Sequence, residues 1–180
     1  MRAPSAAELL GDFVDTLAAD ADESLRYRDP DLAPAKDPNE IDAEAMRRVV
    51  EALNELRMND ADRLGDWFGR FITLYRSAGH AAPGDEKRSR IEVEWDLRQG
   101  AVLHRHPFTR MAWRKAARGA TLFAAGESHA LSARDAQRIA AADRFDERGY
   151  AALSERGRDA VYELLQGGHY QLAMPDGDQA

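Results

Sequence analysis

The sequence predicts an α+β fold class: an N-terminal all-α helical region over residues 1–88, then a small α+β domain over residues 89–180. Apolar residues recur at helical spacing in three stretches before residue 77. After residue 100 the apolar runs become short and are broken by His106-Pro107, Gly119 and Gly126, as in small antiparallel strands. The charge changes as well: residues 1–88 carry 12 Lys/Arg against 19 Asp/Glu, and residues 89–180 carry 13 of each.

Ser5-Ala6-Ala7-Glu8 is a capping box ahead of an apolar face formed by Leu9, Leu10, Phe13, Val14 and Leu17, which predicts a first helix over 5–21. From Asp22 to Ile41, Pro30, Pro34 and Pro38 forbid helix. That stretch reads either as a plain surface linker or as a strap anchored by Leu25, Tyr27 and Leu32. Asp42 caps a second helix to about Met58, with Met46, Val49, Val50, Leu53 and Leu56 in register. A short turn leads into a third helix over 59–77, whose Leu64, Trp67, Phe68, Phe71, Ile72 and Tyr75 make one broad apolar face. Gly65 and Gly69 inside it each cost about 1 kcal/mol relative to Ala. They are either tolerated or present so that another backbone can come unusually close.

Three helices with so much apolar surface exceed what a unit of this size hides alone. Sharing that surface across a two-fold axis resolves the mismatch, so a homodimer is expected. Its interface is assigned to Leu9, Leu10, Phe13, Val14, Leu17, Trp67, Phe68 and Phe71.

Residues 78–90 read as a linker around Pro83-Gly84. Ile91, Val93, Trp95 and Leu97 alternate with acids like a strand, while Gly100 suits a helix C-terminus, so 91–99 stays open between the two. Strands are expected at 101–105, 110–115, 120–124 and 129–131. Ser132 then starts a helix to about Ala142, helices follow at 146–153 and 158–166, and 169–174 closes as a strand. Strands, three helices and a closing strand are of winged-helix type.

Several functions are excluded or unsupported. The chain has no Cys, so disulfides and thiolate chemistry are absent, which fits a reducing, cytoplasmic compartment. No apolar run approaches a membrane span. Among His80, His104, His106, His129 and His169, only His104 and His106 lie close together, and no histidine is followed two residues later by Asp or Glu. Nucleophile-elbow and phosphate-cradle motifs are also missing. No catalytic, cofactor-binding or metal residue is therefore assigned.

One cluster carries a possible contact surface: Arg105, Arg110, Arg114, Lys115 and Arg118, with Phe108 and Trp113 between them. Basic residues interleaved with aromatics suit RNA or an acidic protein. Glu127, Asp135, Asp143, Asp146 and Glu147 follow and are placed to neutralise it. The last helix, RDAVYELLQ over 158–166, has two acids and one basic residue, which argues against sequence-specific DNA reading.

Five strings in order, RAPSAAELLGDFVDTLA (2–18), YRDPDLAP (27–34), WFGRFI (67–72), LRQGAVL (97–103) and ELLQGGHYQL (163–172), resemble the bacterial JmjC-type cupin oxygenases, specifically the ribosomal-protein arginine hydroxylases. The resemblance implies the C-terminal half of that family, a helical dimerisation region and a winged-helix-like domain. It also implies a catalytic core upstream that holds Fe(II) and 2-oxoglutarate through an H-x-D…H triad. No residue here matches that triad, so no cofactor is expected in this chain, and its ribosomal-protein substrate belongs to the full-length family. The resemblance favours a helix at 91–99. The resulting expectation is a non-catalytic scaffold that dimerises and helps hold a protein substrate. The alternative is a free-standing protein- or RNA-interaction module that uses the basic hairpin 104–118.

Overall fold

A computed structural model describes residues 3–21, 41, 43–55, 60–74, 79, 81–84 and 88–174. The expected proline strap, the Asp42 cap and Tyr75 lie outside the described residues. The chain divides into two compact units, residues 1–67 and 68–180.

The first unit begins with α1 (Ala6–Ala19), started by the predicted box: the Ser5 hydroxyl accepts from the Glu8 amide at 3.2 Å, and the Glu8 carboxylate accepts from the Ser5 amide at 2.8 Å. Phe13 and Leu17, one turn apart, are its buried residues. Phe13 packs on Trp67 with ring centroids 4.9 Å apart, and the Trp67 indole N–H donates to Asp12 at 2.8 Å. Helix α2 (Ala43–Glu55) is laced on its polar side by Arg47 and Arg48 bonding Glu44. On its other side Met46, Val49, Val50 and Leu53 are exposed, as is Ile41 just before the helix. Asp60 starts α3 (Ala61–Leu74) by accepting from the amides of Asp62 and Arg63.

Residues 68–74 of α3 count with the second unit. Gly69 is buried there because the Phe123 ring lies against it: a Cβ at Gly69 would fall 2.4 Å from that ring. The close approach at Gly69 is thus made by an aromatic ring and not by the backbone that the paired glycines would admit. Thr73 accepts from the Gly126 amide at 3.0 Å, and Arg70 donates to Ser128.

Residues 90–98, left open by the sequence, are helix α4 (Arg90–Arg98), closed at its start by a Ser89–Glu92 capping box. Two sheets follow. In the first, β1 (Val102–Arg105) lies between β5 (Arg144–Phe145) and β6 (Tyr170–Ala173), both antiparallel to it, with Leu103 opposite Phe145 on one side and Leu172 on the other. In the second, β2 (Met111–Lys115), β3 (Ala120–Ala124) and β4 (Glu127–Leu131) form a meander. Ala125 and Gly126, both at positive φ, make the two-residue β3–β4 turn.

Helices α5 (Ala133–Ala141), α6 (Glu147–Ala151) and α7 (Glu155–Gln166) complete the unit. Helix α7 starts at Glu155, three residues before the expected Arg158, because Ser154 caps it by accepting from the Gly157 amide. Strand β5 was not anticipated: two residues are too short to show a period. The core gathers Val93 and Leu97 of α4, Leu103 of β1, Leu122 of β3, Ile139 of α5 and Val161 of α7 around the tilted pair Phe145 and Tyr170. Helices with two small antiparallel sheets make this a mixed α+β, winged-helix-like unit.

Candidate functional site

Among the described histidines, His106 and His169 meet at a backbone crossing. The β1 strand ends where His106 donates its amide to the His169 carbonyl at 2.9 Å, and Thr109 donates its amide back to the His106 carbonyl at 2.9 Å. The His106 ring accepts from the Phe108 amide through Nδ1 at 3.2 Å. The buried Thr109 hydroxyl lies 3.0 Å from His169 Nδ1. Burial holds the His169 imidazole below its ordinary value, and His106 and His129 push it the same way. His129 leans on Glu163 at 3.3 Å, and its Nε2 is buried without a hydrogen-bond partner among the described residues. His104 is exposed on β1. Among the described residues no three His, Cys, Asp or Glu converge in a way that could hold a metal ion.

A groove of about 460 Å³ runs along the outer edge of β6, between residues 82–84 and the end of α7. Its floor is fixed by Tyr162 and Gln166, which both donate to the Arg88 carbonyl at 3.0 Å. Arg88 is its one charged lining residue among those described, and that guanidinium is paired with Asp96 at 2.5 Å. In the histidine corner the one hydroxyl beside an imidazole among the described residues is that of Thr109, which is only 5% exposed.

The basic residues divide into two groups. Arg105 is committed inside the fold: it donates to the Ala140 carbonyl at 2.9 Å and pairs with Asp143. Arg110 and Arg114 are half-buried on either end of β2, while Lys115 and Arg118 stand exposed at the β2–β3 turn. That turn is closed by the Ala116 amide donating to the Gly119 carbonyl, with Gly119 at φ 83°. The acids expected to neutralise it are largely engaged elsewhere. Glu127 pairs with Arg70, Asp143 with Arg105, Asp135 binds Ser132 and Ser154, and Asp146 caps α6.

The eight residues assigned to a dimer interface also divide. Phe13 and Leu17 are already buried in their own unit, with Trp67 half-buried against Phe13, whereas Leu10, Val14 and Phe68 are exposed. Leu9 and Phe71 are half-buried. The eight-residue assignment left out the exposed ridge of α2, although its spacing at Met46, Val49, Val50 and Leu53 was visible and the helix was counted in the shared apolar surface.

A family model described as ROXA-like winged helix matches residues 55–171. The chain belongs to the ROXA-like winged-helix family. Among curated proteins it is 32% identical over 104 residues to the ribosomal protein uL16 3-hydroxylase of Escherichia coli (strain K12), across 58% of this chain and 28% of that one. Two solved E. coli structures are similar at 25% identity. One, ycfD, has a TM-score of 0.75 over 96% of this chain and 46% of its own. The other, YcfD described as a ribosomal oxygenase, has a TM-score of 0.76 over 95% and 47%. This ROXA-like chain therefore spans less than half the length of these relatives, and the resemblance to ribosomal oxygenases read from its five strings holds. Among its described residues no helix is long and apolar enough to cross a membrane.

Proposed function

We propose that this chain is the non-catalytic, scaffolding portion of a ribosomal-protein hydroxylase, and that it acts as a homodimer. The observation that carries the reading is α2: none of its described side chains is buried, and Met46, Val49, Val50 and Leu53 form an apolar ridge at i, i+3, i+4 and i+7. On α1 of the same unit, Leu10 and Val14 are exposed at i and i+4. A ridge of this kind left in water is unfavourable by roughly 25 cal/mol for each Å² of apolar surface that a partner could cover. A second copy is the partner always present at equal concentration, and it presents the same face for a self-complementary contact.

The E. coli ribosomal oxygenase has been seen with cobalt and 2-oxoglutarate. The described residues here do not fit such a metal, since no three ligand side chains converge. On this reading the oxygenase chemistry belongs to the catalytic portion of the full-length protein. The scaffold's part is geometric. Two linked catalytic portions hold a large protein substrate in fixed orientation, and orientation is worth several kcal/mol of a reaction barrier.

Sedimentation equilibrium tests the reading. The expected mass is twice the 20.0 kDa of one chain, and Val49→Asp with Leu53→Asp should return it to one chain. A single-chain mass for the unaltered protein at micromolar concentration would sink the proposal. Incubation with Fe(II) or Co(II) should leave no stoichiometric metal after gel filtration.

A further inference from the structure

Between Asp96 and Glu127 the sequence carries Arg98, Arg105, Arg110, Arg114, Lys115 and Arg118 with no carboxylate, in a chain whose net charge is −7. Arg98 is on α4 and Arg105 is tied to Asp143 and Ala140. The remaining four lie along β2 and its turn into β3, and two of them, Lys115 and Arg118, are exposed and bonded to no described side chain. We infer that the β2–β3 turn is a docking point for the phosphate backbone of RNA, through Lys115 and Arg118, with Arg114 beside them.

Three observations favour phosphate over an acidic protein surface. The turn between the two cations is Ala116 and Ala117, followed by Gly119, so it has no aromatic or long aliphatic side chain to anchor a protein contact. Trp113, the nearest large side chain on β2, is packed against the core. Lysine is depleted from protein interfaces, whereas phosphate contacts need only cations at the right spacing and no apolar pocket. Glu127 is paired with Arg70 and Asp143 with Arg105, so these two acids are already matched by other cations and the turn's own cations can steer a polyanion toward this one edge of an acidic chain. This inference does not depend on the chain being a dimer.

Fluorescence anisotropy with a labelled single-stranded RNA of about 20 nucleotides, titrated across KCl concentrations, tests it. Log affinity should fall linearly with log salt, and Lys115→Ala with Arg118→Ala should reduce the slope by about 1.4, or ~0.7 for each lost contact on a single strand. Lys115→Glu with Arg118→Glu should lower affinity at least tenfold, while Arg98→Glu, an exposed cation on α4, should change it less than twofold. Circular dichroism of each variant should match the unaltered protein, because all three side chains are exposed. Three outcomes would each overturn the inference. One is no binding at low salt, another is a slope unmoved by the alanine pair. The third is displacement of the RNA by poly-glutamate at equal charge, which would give the turn to an acidic protein instead.

Discussion

Asp135 is 2% exposed, and its carboxylate serves two helices at once. It accepts from the Ser132 hydroxyl at 2.9 Å, where α5 begins, and from the Ser154 hydroxyl at 2.6 Å and amide at 3.3 Å, where α7 begins. Burial alone would raise its pKa, but the hydrogen bonds from Ser154 and Ser132 outweigh burial and hold it below the usual carboxylate range. Both helix N-termini add favourable partial charge. Removing the carboxylate takes the acceptor from the Ser132 and Ser154 hydroxyls and from the Ser154 amide, so Asp135→Ala should cost about 1–3 kcal/mol in urea denaturation. A depressed carboxylate stabilises above its unfolded value of about 3.9 and loses that contribution as pH falls through its folded value. His169 acts at higher pH. Its folded imidazole is held low, so below about 6.5 the unfolded chain binds more protons, and stability falls as pH drops through that value. His169→Asn should flatten the decline between about pH 7 and 5.5, and an unchanged decline would assign it to other groups. The sequence marked Asp135 as a helix start. Its second role, bonding a serine 19 positions later, leaves no local pattern, because only folding brings the two caps together.

Helix α4 shows why local pattern leaves an element undecided. Apolar residues at 91, 93, 95 and 97 alternate as in a strand, but in a helix they resolve into two stripes, 91 with 95 and 93 with 97, roughly 200° apart. The structure buries the second stripe, with Val93 at 0% and Leu97 at 2%, and leaves Ile91 at 80% and Trp95 at 59% exposed. The deciding signal was Ser89 followed by Glu92, a capping box one turn ahead of the ambiguous run. Leu97→Ala should therefore cost about 2–5 kcal/mol, whereas Ile91→Lys should change stability by no more than about 0.5 kcal/mol. Equal losses from the two would mean that the exposed stripe is covered. Helix α3 carries the opposite lesson. Gly69 looked like a helix weakness, yet its missing side chain is the space that the Phe123 ring occupies. Gly69→Ala gains about 1 kcal/mol of helix propensity but must displace a packed ring, so it should destabilise by about 1–2 kcal/mol overall. The loss should shrink when Phe123→Leu is made in the same chain, and strict additivity would show that the ring is not the obstacle.

At the scale of the whole molecule, each compact unit has its own buried set: Phe13 and Leu17 in the first, and the cluster around Leu103, Leu122, Val161 and Tyr170 in the second. The two differ in how much of their apolar surface they hide. Helices, strands and the change of composition after residue 88 were legible because they are written as local periods and charge. Which apolar face stays bare was not, since α1 and α2 carry the same kind of pattern and only folding shows that Phe13 and Leu17 are covered while Val49 and Leu53 are not. If the bare ridge is covered by a second copy, the first unit's stability depends on protein concentration by mass action and the second unit's does not. Chemical denaturation of the full chain should then show two transitions, of which only one moves to higher denaturant as concentration rises. Val49→Asp with Leu53→Asp should abolish that dependence, and Leu97→Ala should shift the other transition alone. The three tryptophans report separately, Trp67 from the first unit and Trp95 and Trp113 from the second, so Trp67→Phe identifies which fluorescence change belongs to which unit. A single transition with no dependence on concentration would mean that the ridge on α2 stays in water, and the dimer proposal would fall with it.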